Sequence, residues 1–324
     1  MPGVLIRGQG VAAFCCAHLL DAAGFEVALE AADRPKLPAI LLGEPTQQLM
    51  ADVFGEPRLF DGLPRIEKRV VAWGGTPVTV PHRAVVISEE NLMARLGRRG
   101  TGFSLSDWTV YAARPLPEDC LDRPFGARAA TAHAVTLKEE SAALWIESVE
   151  AGWLFLLSGG NGTGWLLSVG DAAETMLGES RLIAEILSGS GKASGKFSAH
   201  PRISVPLCGD GWLSCGTAAL SFDPICGDGT GYAVREGILA AAVIRAAERG
   251  EDRGALRSHY AHRVLAAFRR HLELCREYYR TGGAGPWWRE ELEALRRGVE
   301  WCDSELEGER FRYRLSGFEL ERAG

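Results

Sequence analysis

A glycine-rich stretch leading into an apolar helix constrains this chain more than any other feature. It runs Cys215-Gly216-Thr217-Ala218-Ala219-Leu220-Ser221-Phe222-Asp223-Pro224-Ile225-Cys226-Gly227-Asp228-Gly229-Thr230-Gly231-Tyr232 and on to Gly237. A strand is expected to end near Ser214, Asp223-Pro224 breaks the chain, and a strongly apolar helix is expected from about Tyr232. Gly227, Gly229 and Gly231 let backbone N–H groups approach a ligand closely, and the positive end of the following helix points to the same place. Such a site suits an electron-accepting ring or an anion.

The amino terminus carries a second turn of this kind. Gly3 to Arg7 reads as a short buried strand, Gly8-Gln9-Gly10-Val11-Ala12-Ala13 as a Gly-x-Gly-x-x-Ala turn, Val11 to Ala23 as a helix, and Glu26 to Glu30 as the next strand. Gly8 permits the tight turn, Gly10 the approach of a pyrophosphate and Ala13 close helix-to-strand packing, while Glu30 falls where a carboxylate accepts ribose hydroxyls. Alone, such a turn also serves folds that bind nothing. Paired with residues 215–237 it becomes specific, because a simple NAD dehydrogenase has no need of the second motif.

Composition narrows the class. A chain of 324 residues has room for about two domains. A net charge of −6 argues against a nucleic-acid partner, which selects for a basic face. No run of apolar residues is long enough for a membrane span, and Arg7 interrupts the apolar start that imitates a signal peptide. Eight cysteines without a C-x-x-C pair suit free thiols in a reducing cytoplasm. His259 and His262 lack neighbouring ligands at metal spacing, so no metal site is expected.

Between these motifs, Leu37 to Leu42 reads as extended, and Gly43-Glu44-Pro45-Thr46 turns into a helix from Gln47 to Val53, with Thr46 a candidate N-cap. Further on, Arg69 to Val80 suggests a hairpin about Gly74-Gly75, Ala84 to Ser88 another strand and Glu89 to Leu96 a helix. Strands follow over 129–137, 143–148, 153–157 and 165–168, then an amphipathic helix over 171–187, a Gly/Ser/Lys loop over 189–195, and helices over 234–249, 255–280 and 288–306. Trp145, Trp153, Phe155 and Trp165 either pack one face of a sheet or line a pocket for a planar molecule. Trp287-Trp288 either anchors the last helix or waits for a partner.

Together these residues resemble the FAD-dependent monooxygenase and halogenase superfamily with the p-hydroxybenzoate hydroxylase-like fold. The matching elements are the Gly8-x-Gly10 turn, the Gly43-Glu44-Pro45-Thr46 turn, a strand at Asp107 to Ala112 followed by Ala113-Arg114, and the 215–237 motif. The resemblance implies an α/β fold: a Rossmann-like FAD-binding domain, an inserted antiparallel-sheet substrate domain and a C-terminal helical tail. The expected divisions are residues 1–68, 84–115 and 205–250 for the FAD-binding domain, 69–83 and 116–204 for the sheet domain, and 251–324 for the helical region. Two departures stand out. Thr217 occupies a position where the family usually has Asp, and only the short interval Gly97 to Ser106 replaces the family's three-stranded meander.

The cofactor implied is FAD, with Gly8, Gly10, Ala13, Glu30, Gly43, Glu44, Thr217, Asp223, Pro224, Gly227, Gly229, Thr230 and Gly231 as its contacts. Pro224 would press on one face of the flavin ring. His82, beside Pro81, and Asp223 are the candidate catalytic groups, although Asp before Pro is also a common turn former. Halogenation is disfavoured: Gly152 to Leu157 lacks the Trp-x-Trp-x-Ile-Pro motif, and Lys68 is the single lysine in the relevant interval. The layout, with Tyr278-Tyr279 before Pro286-Trp287-Trp288, looks most like the flavoproteins of tryptophylquinone cofactor biogenesis, which hydroxylate a tryptophan of a partner polypeptide. The resemblance thus implies a monooxygenase acting on an aromatic group of a protein or peptide substrate, with NAD(P)H or a reductase as electron donor. A flavin-dependent reductase or dehydrogenase, or a degenerate FAD-fold binding module or chaperone, are the alternatives.

Overall fold

The computed structural model describes residues 2–32, 36–97, 106–308 and 311–323. Its first part comprises β1 (Gly3–Arg7), α1 (Val11–Ala22), β2 (Glu26–Glu30), β3 (Ile40–Gly43), α2 (Glu44–Phe54), β4 (Arg65–Ala72), β5 (Val78–Ile87), α3 (Glu89–Leu96) and β6 (Trp108–Tyr111). Then come β7 (Leu121–Pro124), β8 (Ala129–Leu137), β9 (Ala143–Val149), β10 (Gly152–Gly160), β11 (Thr163–Gly170), α4 (Ala173–Glu179), α5 (Ile183–Ile186), β12 (Leu187–Ser198) and β13 (Arg202–Val205). The chain closes with β14 (Cys208–Gly209), β15 (Trp212–Ser214), α6 (Gly216–Ala219), β16 (Leu220–Ser221), a 3₁₀ turn (Pro224–Cys226), α7 (Gly229–Glu248), α8 (Arg253–Gly282), α9 (Pro286–Leu306), β17 (Tyr313–Ser316) and β18 (Glu319–Arg322).

The strand-turn-helix-strand pattern at the amino terminus builds a five-stranded sheet in the order β14-β15-β6-β1-β2. β1 runs parallel to both β2 and β6, with Val4 opposite Val27 and Trp108. Val4 and Ile6, which point to one face of the sheet, are fully buried, whereas Leu5 on the other face is half-buried. Over this sheet lies α1, against which α7 packs. Residues 238–244 of α7 are all buried, the mark of a helix surrounded by protein. The two helices approach backbone to backbone: a Cβ added at Gly237 would lie 2.5 Å from the carbonyl oxygen of Ala12.

The second sheet has eight strands in the order β12-β8-β11-β10-β9-β4-β5-β3, antiparallel except where β4 meets β9. Its alternation separates two faces. Trp153 joins the large core shared with the parallel sheet, while Leu154, Leu156 and Trp145 pack with Met176 and Ile183 of α4 and α5. The packing reading of Trp145 and Trp153 therefore holds, whereas Phe155 lines a cleft.

Several expectations are corrected. β5 is one continuous strand from Val78 to Ile87, so residues 84–87, assigned on sequence to the cofactor domain, pair in the large sheet, as does β3. The single helix expected over 171–187 is broken: the Glu147 carboxylate accepts from the N–H groups of Arg181, Leu182 and Ile183, and the Ser180 hydroxyl caps the next turn through the Ala184 N–H. Residues 189–195 are not a loop but part of β12, an irregular edge strand whose register with β8 shifts three times. α2 begins at Glu44 with Gly43 as N-cap, so Thr46 lies inside the helix. The interval Gly97 to Ser106, read as standing where the family's meander is missing, falls mostly outside the described residues. Among the described residues no helix is long and apolar enough to cross a membrane.

The C-terminal helices lock onto both sheets. Trp288 is buried at the start of α9, donates from Nε1 to the Val149 carbonyl at 3.0 Å, and meets Trp73 edge-on at 5.4 Å between centroids. Trp288 is thus an anchor.

Because the α1–α7 contact leaves no room for a side chain, Gly237→Val is expected to destabilise the protein by about 1–3 kcal/mol. The check is a denaturant midpoint, with Gly178→Ala, whose added Cβ meets nothing within 4 Å, as the near-neutral control.

Candidate functional site

A cleft of about 440 Å³ separates the parallel sheet from the large sheet. One wall is made by two helix starts. At the first, β1 ends and Gly8 turns the chain at φ +131°, its N–H donating to the Glu30 carbonyl at 2.8 Å. A Cβ there would lie 3.0 Å from the backbone of Ala112 and Ala113, which is why the turn needs glycine. Gly10 then N-caps α1 with no side-chain acceptor, leaving first-turn N–H groups to a ligand. At the second, Asp228 N-caps α7, again with no side-chain hydrogen bond to a first-turn N–H; its Oδ2 accepts instead from Arg235 Nη1 at 2.9 Å, farther along the helix.

Gly10, Val11 and Ala12 meet Thr217, Asp223, Pro224, Gly227, Gly229 and Thr230 across the cleft, while Phe155, Leu157, Leu167 and Phe197 give it an apolar side. Two positive helix ends and an apolar wall can take a long ligand with an anionic middle and a flat ring.

Asp223 holds this wall in place. It is 2 % exposed. Its Oδ2 accepts from Arg128 Nε at 2.6 Å and from the Tyr279 hydroxyl at 2.8 Å, its Oδ1 accepts from the Ile225 N–H, and its own N–H donates to His271 Nε2 at 2.8 Å. Arg128 also pairs with Glu291 of α9, and its guanidinium lies over the Tyr279 ring at 4.7 Å. Burial works against the Arg128 charge, yet Tyr279, Asp223 and Glu291 hold its pKa above the ordinary arginine value. Asp223 is therefore a structural acceptor in a buried ionic cluster, with its oxygens already committed.

Glu236 is a residue that sequence reasoning missed. Buried on α7 and lining the cleft, it accepts from the Gly216 N–H at 2.6 Å, fixing the turn before Thr217. Burial pushes its carboxyl up to about 8, opposed only by that N–H. Gly216 itself has φ +58°, and an added Cβ would meet Ala12 Cβ at 2.9 Å.

The other sequence candidates distribute unevenly. Gly8 and Ala13 are buried behind the α1 start. Glu30 stands at the end of β2, its Oε2 paired with Arg7 Nε at 2.9 Å. Gly231 packs against Thr46 and Asp228, where the Thr46 hydroxyl donates to Asp228 Oδ1 at 2.9 Å and joins α2 to the α7 start. Gly43 caps α2. Glu44 faces a different cavity, of about 620 Å³, that includes Arg65, Glu67 and Arg83. His82 lies on β5 and lines neither cavity; burial and then Arg69 lower its pKa. Thr217 is exposed on the cleft wall, its carbonyl accepting from Arg202 Nη2 at 2.9 Å.

Arg128 and Glu291 carry no local motif, and their meeting across 163 residues leaves no sequence signal. The Cys226–Cys275 contact, 49 residues apart, is equally invisible in spacing.

No family model and no curated protein sequence matches the chain. Solved structures do match in fold. The peptidyl tryptophan dihydroxylase QhpG, essential for tryptophylquinone cofactor biogenesis, aligns with a TM-score of 0.77 at 17% identity over 99% of this chain and 86% of that one. CmlS, a flavin-dependent halogenase, gives 0.76 at 17% identity over 94% and 70%. Klebsiella pneumoniae HpxO, complexed with FAD and uric acid, gives 0.64 at 16% identity over 94% and 97%. The chain has the fold these proteins share, an α/β architecture with a parallel sheet set against a larger antiparallel one.

Two outcomes follow from the site. Arg128→Met strands two buried carboxylates and is expected to cost about 3–5 kcal/mol, read from chemical unfolding. Glu236 has a folded pKa raised above its unfolded value, so its contribution becomes destabilising as pH climbs from the unfolded value near 4.5 through about 8. Glu236→Gln should therefore gain thermal stability relative to the parent between pH 5 and pH 8.5; an unchanged difference would show that the carboxyl titrates normally.

Proposed function

We propose that this protein is an FAD-dependent monooxygenase that hydroxylates an aromatic group, its substrate a tryptophan side chain of a partner polypeptide. The observation that carries the reading is the convergence of two helix starts, neither with a side-chain cap, on one cleft with an apolar opposite wall. That donor set fits FAD. The α1 start, with Gly10, would take the pyrophosphate, and Glu30 the ribose hydroxyls. The N–H groups from Gly227 to Thr230, backed by α7, would hold the electron-poor end of the ring against Pro224. Thr217 would offer a hydroxyl where the superfamily usually offers a carboxylate.

Once bound, FAD supplies the oxygen activation and transfer. The protein's own task would be to orient and to dry the site: Phe155, Leu157 and Leu167 line the cleft and would keep water from it, and the Phe155 ring would stack with a planar substrate. Asp223, paired with Arg128, acts as a positioning residue by fixing the turn that carries Pro224. The tryptophan substrate is the finer part of the proposal, supported by the fold shared with QhpG over nearly the whole chain. An external reductant, NAD(P)H or a reductase, completes the electron balance with oxygen.

The test begins with a visible spectrum during FAD titration. Binding at micromolar FAD is expected, and its absence sinks the proposal. Gly10 has φ −89° and ψ −179°, which aspartate adopts without strain. Gly10→Asp should cap α1, leave apo stability equal or higher, and weaken FAD binding at least about tenfold by placing a carboxylate where the pyrophosphate sits. With reduced FAD, oxygen and a tryptophan-containing peptide, the product should gain the mass of oxygen. Reductant consumption with no oxygenated product from peptide or small aromatic probes would favour the reductase reading instead.

A further inference from the structure

Beneath the Pro224–Cys226 turn, two cysteines distant in sequence come together. Cys226 Sγ lies 3.6 Å from Cys275 Sγ on α8, and Cys275 Sγ lies 3.3 Å from His271 Nε2 one helical turn earlier. Cys226 is partly exposed, whereas Cys275 is fully buried. We propose that these two side chains form a peroxide-reactive dithiol, with Cys226 as the attacking thiol and Cys275 as the resolving one, whose oxidation joins the cleft-lining turn covalently to α8.

The geometry favours this over a metal site built from the same residues. Three potential ligand atoms, from Cys226, His271 and Cys275, do lie within 4.8 Å of one another. However, the His271 Nε2 lone pair already accepts the Asp223 N–H at 2.8 Å, and the buried Nδ1 has no partner, where a ligating imidazole normally anchors its other nitrogen. The two sulfurs make only weak contacts, Cys275 Sγ with His271 Nε2 and each sulfur with the other. A disulfide bond needs about 2.05 Å between them, so a shift of roughly 1.5 Å closes the gap.

The thiols are also chemically unequal. A hydrogen bond from Cys275 lowers the Cys226 pKa, against the opposing effect of burial. Burial drives Cys275 the other way. Cys15, Cys16 and Cys215 are buried and raised, and Cys120, Cys208 and Cys302 are raised as well. Cys226 is thus the nucleophilic thiol of the chain.

The oxidant is hydrogen peroxide. The Cys226 thiolate attacks one peroxide oxygen, forming an S–O bond as the O–O bond breaks, and the departing hydroxide takes a proton to become water. Cys275 then attacks the Cys226 sulfur; the S–S bond forms, the S–O bond breaks, and the Cys275 proton leaves with the hydroxyl as a second water. Two thiols and one peroxide give one disulfide and two waters. Because Pro224 and Gly227 line the cleft, the covalent state of this turn sets one edge of it. The chemistry needs no bound flavin and stands whether or not FAD binds.

The test treats the full-length protein with equimolar hydrogen peroxide at pH 7, alkylates remaining thiols, digests, and maps peptides by mass. A Cys226–Cys275 linked pair is expected, two hydrogens lighter than the separate peptides and restored by dithiothreitol. In untreated protein, iodoacetamide should label Cys226 at least about tenfold faster than any other cysteine, a readout that depends on no variant. Cys275→Ser should leave a sulfenic acid on Cys226 that dimedone traps, and Cys226→Ser should abolish both products. A different linked pair, or Cys226 passing to sulfinic acid unlinked in the parent, would overturn the proposal. So would stoichiometric zinc that shields both thiols until a chelator removes it.

Discussion

One buried guanidinium ties the molecule together. Arg128, with no side-chain exposure, reaches Asp223 in the glycine-rich motif and Glu291 in α9, and stacks on Tyr279 of α8. Taking three charges out of water is costly, and it is offset because each of the four carboxylate oxygens has at least one donor, although the buried Arg128 Nη2 has no partner. The Asp223 oxygens receive Arg128, Tyr279 and the Ile225 N–H, and Glu291 receives the Ala127 N–H. Tyr279 also accepts from Trp153 Nε1 at 3.0 Å, which carries the network into the large sheet. The sheet, the C-terminal helices and the turn beside the cleft therefore share one polar core.

This arrangement explains why the cleft keeps its shape without filling itself. A helix start with no side-chain cap is a local instability, and two of them face the same space. They persist because α1 and α7 are locked together at Ala12 and Gly237, and because Glu236 and Asp223 hold the adjoining turns from behind. The groups that position the wall are buried acids and an arginine. Those that face the cleft are mostly backbone N–H groups, small residues and apolar side chains.

Much of this was legible before the structure. The β1-α1-β2 unit, the helix after Gly229 and the order of sheet and helix follow from periodicity and glycine placement, which are local signals. Gly10, Thr217, Asp223, Pro224, Gly227, Gly229 and Thr230 do line one cleft, because each belongs to a strand-to-helix turn whose geometry the sequence dictates. What escaped depended on long-range pairing. Glu147 interrupts the helix expected over 171–187 from another strand, and residues 189–195 become an edge strand because β8 offers a partner, despite their glycines. Glu44 faces a second cavity because α2 starts earlier than its N-cap signal suggested. Arg128 and Cys275 met the motif only through tertiary structure.

In the proposed function, the two helix starts form one binding site for one dinucleotide. A crystal structure of the protein grown with FAD tests it most directly. The prediction is density for a single extended molecule, with its pyrophosphate at the amino terminus of α1 and its isoalloxazine beside Pro224 and the 227–230 backbone. Clear protein density with an empty cleft at saturating FAD, or FAD bound in the cavity beside Glu44, would contradict it.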